Sequence, residues 1–242
     1  MSFPQPSSQS DWDWQPPGPP RRWRIDSVTG WLILINVVIF LIDDYSGWKL
    51  TQFGAFTIHD AIHRLQLWRF ITFQFLHGGW LHILFNMIAL FFFGPLVERV
   101  LGRWRYLWFY LVCGCAGPCA LMLLGKLHLL QVDAESTLVG ASAGIFGIVI
   151  AAARIAPNQR VIIFLYFFPL PMRLITMAWL FIGMAVFAVL TSGANAGGQA
   201  AHLGGAAVGF ILIRLPGMLS GPQPKHRFWQ PGEDNFLRDE FK

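Results

Sequence analysis

Six stretches of this 242-residue chain are apolar and long enough, or nearly so, to cross the hydrocarbon core of a bilayer, and no other feature restricts its fold as tightly. They occupy residues 25–42, 80–97, 104–124, 142–156, 174–190 and 200–215. Inside lipid every backbone N–H and C=O must find its partner within the protein, so segments of this length are expected as helices and the fold class as all-α. A seventh apolar run, 161–170, is too short to cross and is interrupted by Pro169 and Pro171, which predicts an interfacial loop. With 55% hydrophobic and 13% charged residues and a mean hydropathy of +0.49, the chain is far too apolar for a soluble domain of its size.

Charge sets the expected orientation. With six spans and the N-terminus inside, 14 of the 18 Lys and Arg residues fall on the cytoplasmic side, leaving Lys49, Arg64, Arg69 and Lys126 opposite. The net charge of +5 therefore reads as topology and argues against nucleic-acid binding. Trp31, Trp68, Trp80, Trp104 and Trp108 lie near span ends, where an amphipathic ring suits the headgroup region. Residues 1–24, rich in Pro, Ser and Gln and without an apolar signal region, are expected to be a disordered cytoplasmic tail. Residues 25–217 form the membrane domain, and 218–242 a second cytoplasmic tail. Cys113, Cys115 and Cys119 fall within the third span at a spacing that suits neither zinc nor a disulfide framework, and read as small packing residues.

Polar side chains inside spans are costly, so each requires a reason. Here they are Asn36, His82, Asn86, Glu98, Ser142 and His202. Gly140-Ala-Ser142-Ala-Gly144 has the form of a nucleophile elbow, but no Asp or Glu occurs between Glu135 and Glu233 to supply the downstream acid of a soluble hydrolase. Taken alone, the motif favours helix-packing glycines around a back-bonded serine over a nucleophile. His202 shares a helical face with Gly198, Gly205 and Gly209, small residues that let another backbone approach. A histidine hydrogen-bonded within a helix interface is one reading; a base that activates Ser142 is the other, and it implies a Ser/His dyad without a carboxylate. His82 and Asn86, four residues apart, share a face and could stabilise an oxyanion. The alternative, a metal site, has the wrong spacing from His77 and lacks the usual glutamate.

Together these residues resemble the rhomboid family of intramembrane serine proteases. The matching elements are Trp68-Arg69 and Thr72 before the second span, His82-x3-Asn86 in it, Gly94-x3-Glu98-x3-Gly102 at its end, Gly140-x-Ser142, and Ala201-His202-x2-Gly205. They occur in family order over residues 30–215. The resemblance implies a six-transmembrane-helix bundle in which Ser142 is the nucleophile and His202 the base. It further implies that His82, Asn86 and the Ser142 amide form the oxyanion site. Trp68, Arg69, Glu98, Gly140 and Gly205 would be structural, with Trp68 and Arg69 in a long loop, 43–79, half embedded in the outer leaflet. Many members carry Tyr where this chain has Phe146, which keeps the stacking on His202 and loses the hydroxyl. The partners implied are transmembrane segments of other proteins and the bilayer itself, with no cofactor and no metal. The expected location is a bacterial inner membrane, and oligomeric state is not encoded in any of these signals. A fourth helix of 142–156 rises only about 22 Å against a core of about 30 Å, so Ser142 is expected below the outer surface in a water-filled cavity roofed by that loop.

Overall fold

The computed structural model describes residues 27–165, 168–193 and 195–219, and these are mostly helical. Of the tails read at 1–24 and 218–242, all but Met218 and Leu219 lies outside the described residues. Helix α1 (Val28–Tyr45) starts at Ser27, whose hydroxyl caps the Gly30 N–H at 3.0 Å. A buried carboxylate completes that start. Glu98 accepts the Val28 and Thr29 N–H groups at 2.7 and 2.9 Å and the Thr29 hydroxyl at 2.7 Å, which satisfies donors that a helix N-terminus leaves over.

The segment after α1 is a chain of short pieces: α2 (Lys49–Gly54), a π-helical turn (His59–His63), α3 (Arg69–Thr72) and a 3-10 turn (Phe73–Phe75). Arg69 binds it together. Its guanidinium pairs with Asp60 at 3.1 Å and donates to the Gln52 and Ala55 carbonyls and the Gln66 side chain. Trp68, by contrast, is half exposed and stacks on Phe53 at 5.5 Å. Region 43–79 is thus an ordered structure, and its first residue belongs to α1, where buried Asp43 accepts the Leu50 and Thr51 N–H groups.

Helices α4 (Trp80–Leu101) and α5 (Arg103–Lys126) follow, joined by Gly102 alone. Its φ of +78° suits glycine, so the chain reverses there without a longer loop. Helix α6 (Ser142–Ile155) leads into an antiparallel hairpin, β1 (Arg160–Leu165) and β2 (Phe168–Arg173), and then into α7 (Leu174–Leu190) and α8 (Ala196–Leu212). The hairpin corrects the loop expected at 161–170 and departs from an all-α fold. Val161, Ile162 and Ile163 favour a strand, and Pro169 and Pro171, two apart, share the outward-facing position of an edge.

Among the described residues, α1, α4 and α5 are long and apolar enough to cross a membrane; α6 and α7 are shorter apolar helices. Leu34, Phe85, Phe92, Trp108, Trp179 and Phe187 all lie exposed along helices, a belt that water would penalise and lipid accepts. At the centre, α5, α6 and α8 meet through small residues. A Cβ added to Gly209 would lie 2.6 Å from the Gly147 Cα, and one added to Gly117 would be 2.9 Å from the Ala143 Cβ. Those at Gly204 and Gly205 would overlap the Ala116 and Ala143 carbonyl oxygens. Backbones in such contact have little freedom to slide, and this fixes where α6 and α8 present their polar side chains.

Candidate active site

Ser142 is the first residue of α6, and His202 lies in the second turn of α8. The packing just described brings the His202 Nε2 to 2.8 Å from the Ser142 Oγ, across 60 residues of sequence. The other ring nitrogen, Nδ1, is 3.0 Å from the Gln199 Oε1. An amide oxygen only accepts, so this contact assigns the ring proton to Nδ1 and leaves the Nε2 lone pair facing the serine. Phe146, one helical turn beyond Ser142, stacks on the imidazole with centroids 4.3 Å apart and planes 11° from parallel. The ring is thereby held on its edge by Gln199 and on its face by Phe146.

The approach to Ser142 is pinned from below and from the side. Phe56 and Leu138 exchange two backbone hydrogen bonds, 3.0 and 2.8 Å, and the Gly140 N–H donates to the Phe73 carbonyl at 2.9 Å. Gly140 has φ +126°, and a Cβ there would lie 2.7 Å from the His82 Nε2 and 3.6 Å from the Asn86 Nδ2. Only glycine lets the chain pass so close to both side chains.

His82 and Asn86, on one face of α4, therefore point at the turn that precedes Ser142. Asn86 is buried and its Nδ2 has no hydrogen-bond partner, while the N–H groups of the first turn of α6 lack intrahelical acceptors. Donors gathered without acceptors in a low-dielectric site favour a negative charge placed among them. His77 packs its ring 5.1 Å from that of His82 and is itself buried without a partner for either nitrogen. Burial, reinforced by the nearby His82, lowers the pKa of His77 to about 3, so it is a neutral neighbour.

A cavity of about 470 Å³ joins these groups, lined among others by His82, Asn86, Ser142, Phe146, Asn195 and His202. Ser142, His202, His82, Asn86, Phe146 and Gly140 thus come together at one place. Gly205 is against Ala143, one residue from Ser142, in a packing position. Glu98, Arg69 and Trp68 lie elsewhere: Glu98 caps α1, and the other two hold the 43–79 segment. Sequence reasoning missed Gln199 and Asn195. The signal for Gln199 was available, since it precedes His202 by three residues and so shares its face. No group of three or more His, Cys, Asp or Glu among the described residues is arranged to hold a metal ion.

Comparison with known proteins identifies the family. Residues 64–217, more than half of the chain, match the family model described as the rhomboid domain. The Bacillus subtilis (strain 168) rhomboid YdcA is 33% identical over 149 residues, 61% of this chain and 66% of its own length. RHOMBOID-like protein 2 of Arabidopsis thaliana is 35% identical over 103 residues, 43% of this chain and 30% of its own. Rhomboid protease GluP of Bacillus subtilis (strain 168) is 29% identical over 191 residues, 77% of this chain and 34% of its own. The chain thus spans less than two thirds of the length of each of these relatives.

Proposed function

This chain belongs to the rhomboid family, and on that premise we propose that it is an intramembrane serine endopeptidase that cleaves transmembrane segments of other membrane proteins with a Ser142/His202 dyad. The observation that carries the reading is the 2.8 Å contact between the Ser142 Oγ and the His202 Nε2 within a cavity that also holds His82 and Asn86 among apolar helices. His202 takes the serine proton as Oγ attacks the scissile carbonyl carbon, and the resulting oxyanion meets Asn86, His82 and the first-turn N–H groups of α6. The imidazolium then gives its proton to the departing amine, which breaks the C–N bond and leaves the acyl-enzyme. Water, deprotonated by His202, attacks the ester and releases serine and the second product.

Gln199 takes the orienting position that a carboxylate fills in a three-residue relay. It stabilises the Nδ1–H tautomer through a neutral hydrogen bond, whereas a buried carboxylate would also stabilise the imidazolium by charge. Phe146 supplies the face contact.

The fold class that goes with this function is six spans, the three long helices together with α6, α7 and α8, forming the domain 25–217 between two cytoplasmic tails. Helix α6, at 14 residues, spans about 21 Å, a length that supports a position for Ser142 below the membrane surface on the side away from the arginines. A multi-pass protein of a bacterial inner membrane accommodates that orientation. The substrate segment would enter beside α7, whose Phe181 approaches Phe146 at 6.3 Å, and unwind near its outer end, so small and helix-breaking residues are favoured at the cut.

The test compares purified full-length protein with Ser142→Ala on a model transmembrane substrate in detergent, with EDTA in both. Cleavage by the wild type alone supports the reading. Equal cleavage by both, or a folded wild type that neither cuts several substrates nor reacts with a fluorophosphonate at Ser142, overturns it in favour of a binding role.

A further inference from the structure

At the end of the bundle away from Ser142, a second cavity of about 510 Å³ opens between α6, α7 and α8. It shares no lining residue with the cavity around the dyad. Its walls are apolar, with Ile150, Ile182 and Trp179 among them, and its titratable lining residues are Arg154 and Arg214. Both arginines fall at one end: Arg154 closes α6, and Arg214 follows the last turn of α8. The Arg214 guanidinium lies over the Phe210 ring, 3.7 Å from its centroid. A guanidinium held by its face keeps its in-plane N–H donors directed outward, the geometry that grips a phosphate.

We propose that this cavity is a binding site for an anionic phospholipid of the arginine-side leaflet, with an acyl chain between α7 and α8 and the phosphate on Arg214 and Arg154. Three features select that occupant. The cavity lies within helices that contact the bilayer, so a lipid reaches it without leaving the membrane. Its positive charge is confined to one end, as a molecule with a single charged head and a long apolar tail requires. Among the described residues no carboxylate lines it, so a zwitterionic headgroup's cation finds no partner among them. A substrate helix, apolar along its whole length, would match the walls but bring no negative charge to the end where the arginines lie. This site is independent of the protease reading and stands or falls without it.

Trp179 makes it measurable. Full-length protein is reconstituted into phosphatidylcholine vesicles containing an increasing mole fraction of either phosphatidylglycerol or phosphatidylcholine with brominated acyl chains, which quench nearby indoles. The Trp179 contribution is the difference between wild type and Trp179→Phe. Brominated phosphatidylglycerol is expected to quench it at on the order of tenfold lower mole fraction than brominated phosphatidylcholine, the preference two arginines near a membrane surface can supply. Arg154→Gln with Arg214→Gln should erase the preference while leaving quenching by phosphatidylcholine in place. Ala207→Phe, which narrows the cavity and keeps both arginines, should weaken quenching by both lipids. Equal quenching by the two lipids in wild type overturns the proposal, as does a preference that survives loss of both arginines. Displacement of either quencher by an apolar transmembrane peptide, regardless of headgroup, also overturns it and gives the cavity to a helix.

Discussion

Helices α7 and α8 are both 17 residues long, yet they are held in opposite ways. Helix α8 buries alanine and glycine, and its backbone touches those of α5 and α6. Helix α7 anchors itself by Leu174, Met177 and Ala185 and turns Leu180, Met184, Phe187 and Leu190 outward; a Cβ added to its Gly183 would meet nothing within 4 Å. The residue that must be placed to within a fraction of an ångström, His202, is on the helix that cannot shift. The helix beside the proposed entry route is the one whose outer face is replaceable. Position in this bundle is therefore specified by small residues, and access by large ones.

The strongest way to break that contrast is Gly205→Val. Its side chain collides with the Ala143 backbone beside Ser142, so a loss of more than about 3 kcal/mol or outright failure to fold is expected, read from the unfolding midpoint in detergent. Gly209→Ala adds one methyl against Gly147 and should cost about 1–3 kcal/mol by the same measurement, with cleavage falling in step as α6 and α8 are forced apart.

Gln199→Leu separates placement from chemistry. The helix is unaffected while the Nδ1 contact disappears, so kcat should fall about tenfold with KM and unfolding midpoint nearly unchanged. Gln199→Glu should restore the rate and alter its pH profile, because it supplies a charged partner to the imidazolium.

Titration distinguishes the two sides as well, since α7 carries no ionisable residue while His77 is buried near the dyad. His77 stays neutral in the fold down to about 3 but protonates near 6.5 once unfolded. The unfolded state therefore binds the extra proton between those values, and the contribution of His77 to stability falls as pH drops through that window. His77→Phe should lose less stability than wild type on acidification, followed by unfolding midpoints across the range. The smallest effect belongs to Gly183→Ala on α7, which adds a methyl in open space and should shift stability by less than about 1 kcal/mol, in the favourable direction.

The sequence made the central site legible because each of its parts is expensive in a membrane. Ser142, His202, His82 and Asn86 stood out as polar residues in apolar stretches, and the spacing of His82 and Asn86 already placed them on one face. Gln199 did not, because at the edge of an expected span an amide looks like ordinary surface. Span ends shifted where a tertiary contact extends a helix beyond its apolar run. Helix α4 continues past Val97 to Leu101 because Glu98, read as a polar intruder near the end, is buried against the start of α1. Helix α8 begins at Ala196, before its apolar face, and stops at Leu212. The hairpin escaped because its prolines argued against a strand, and only the pairing partner shows that they face outward. The ties within 43–79, such as Asp60 to Arg69, span too few and too irregular residues to leave a periodic trace.

The carboxylate of Glu98 also imposes an order of events on biosynthesis. Helix α1 is made before α4, but two of its leading amides find their acceptor only about 70 positions later, on Glu98. Until the ribosome has delivered α4, the first helix is a hydrophobic segment with an open end. Arrival of Glu98 latches it, and an older helix is finished by a newer one.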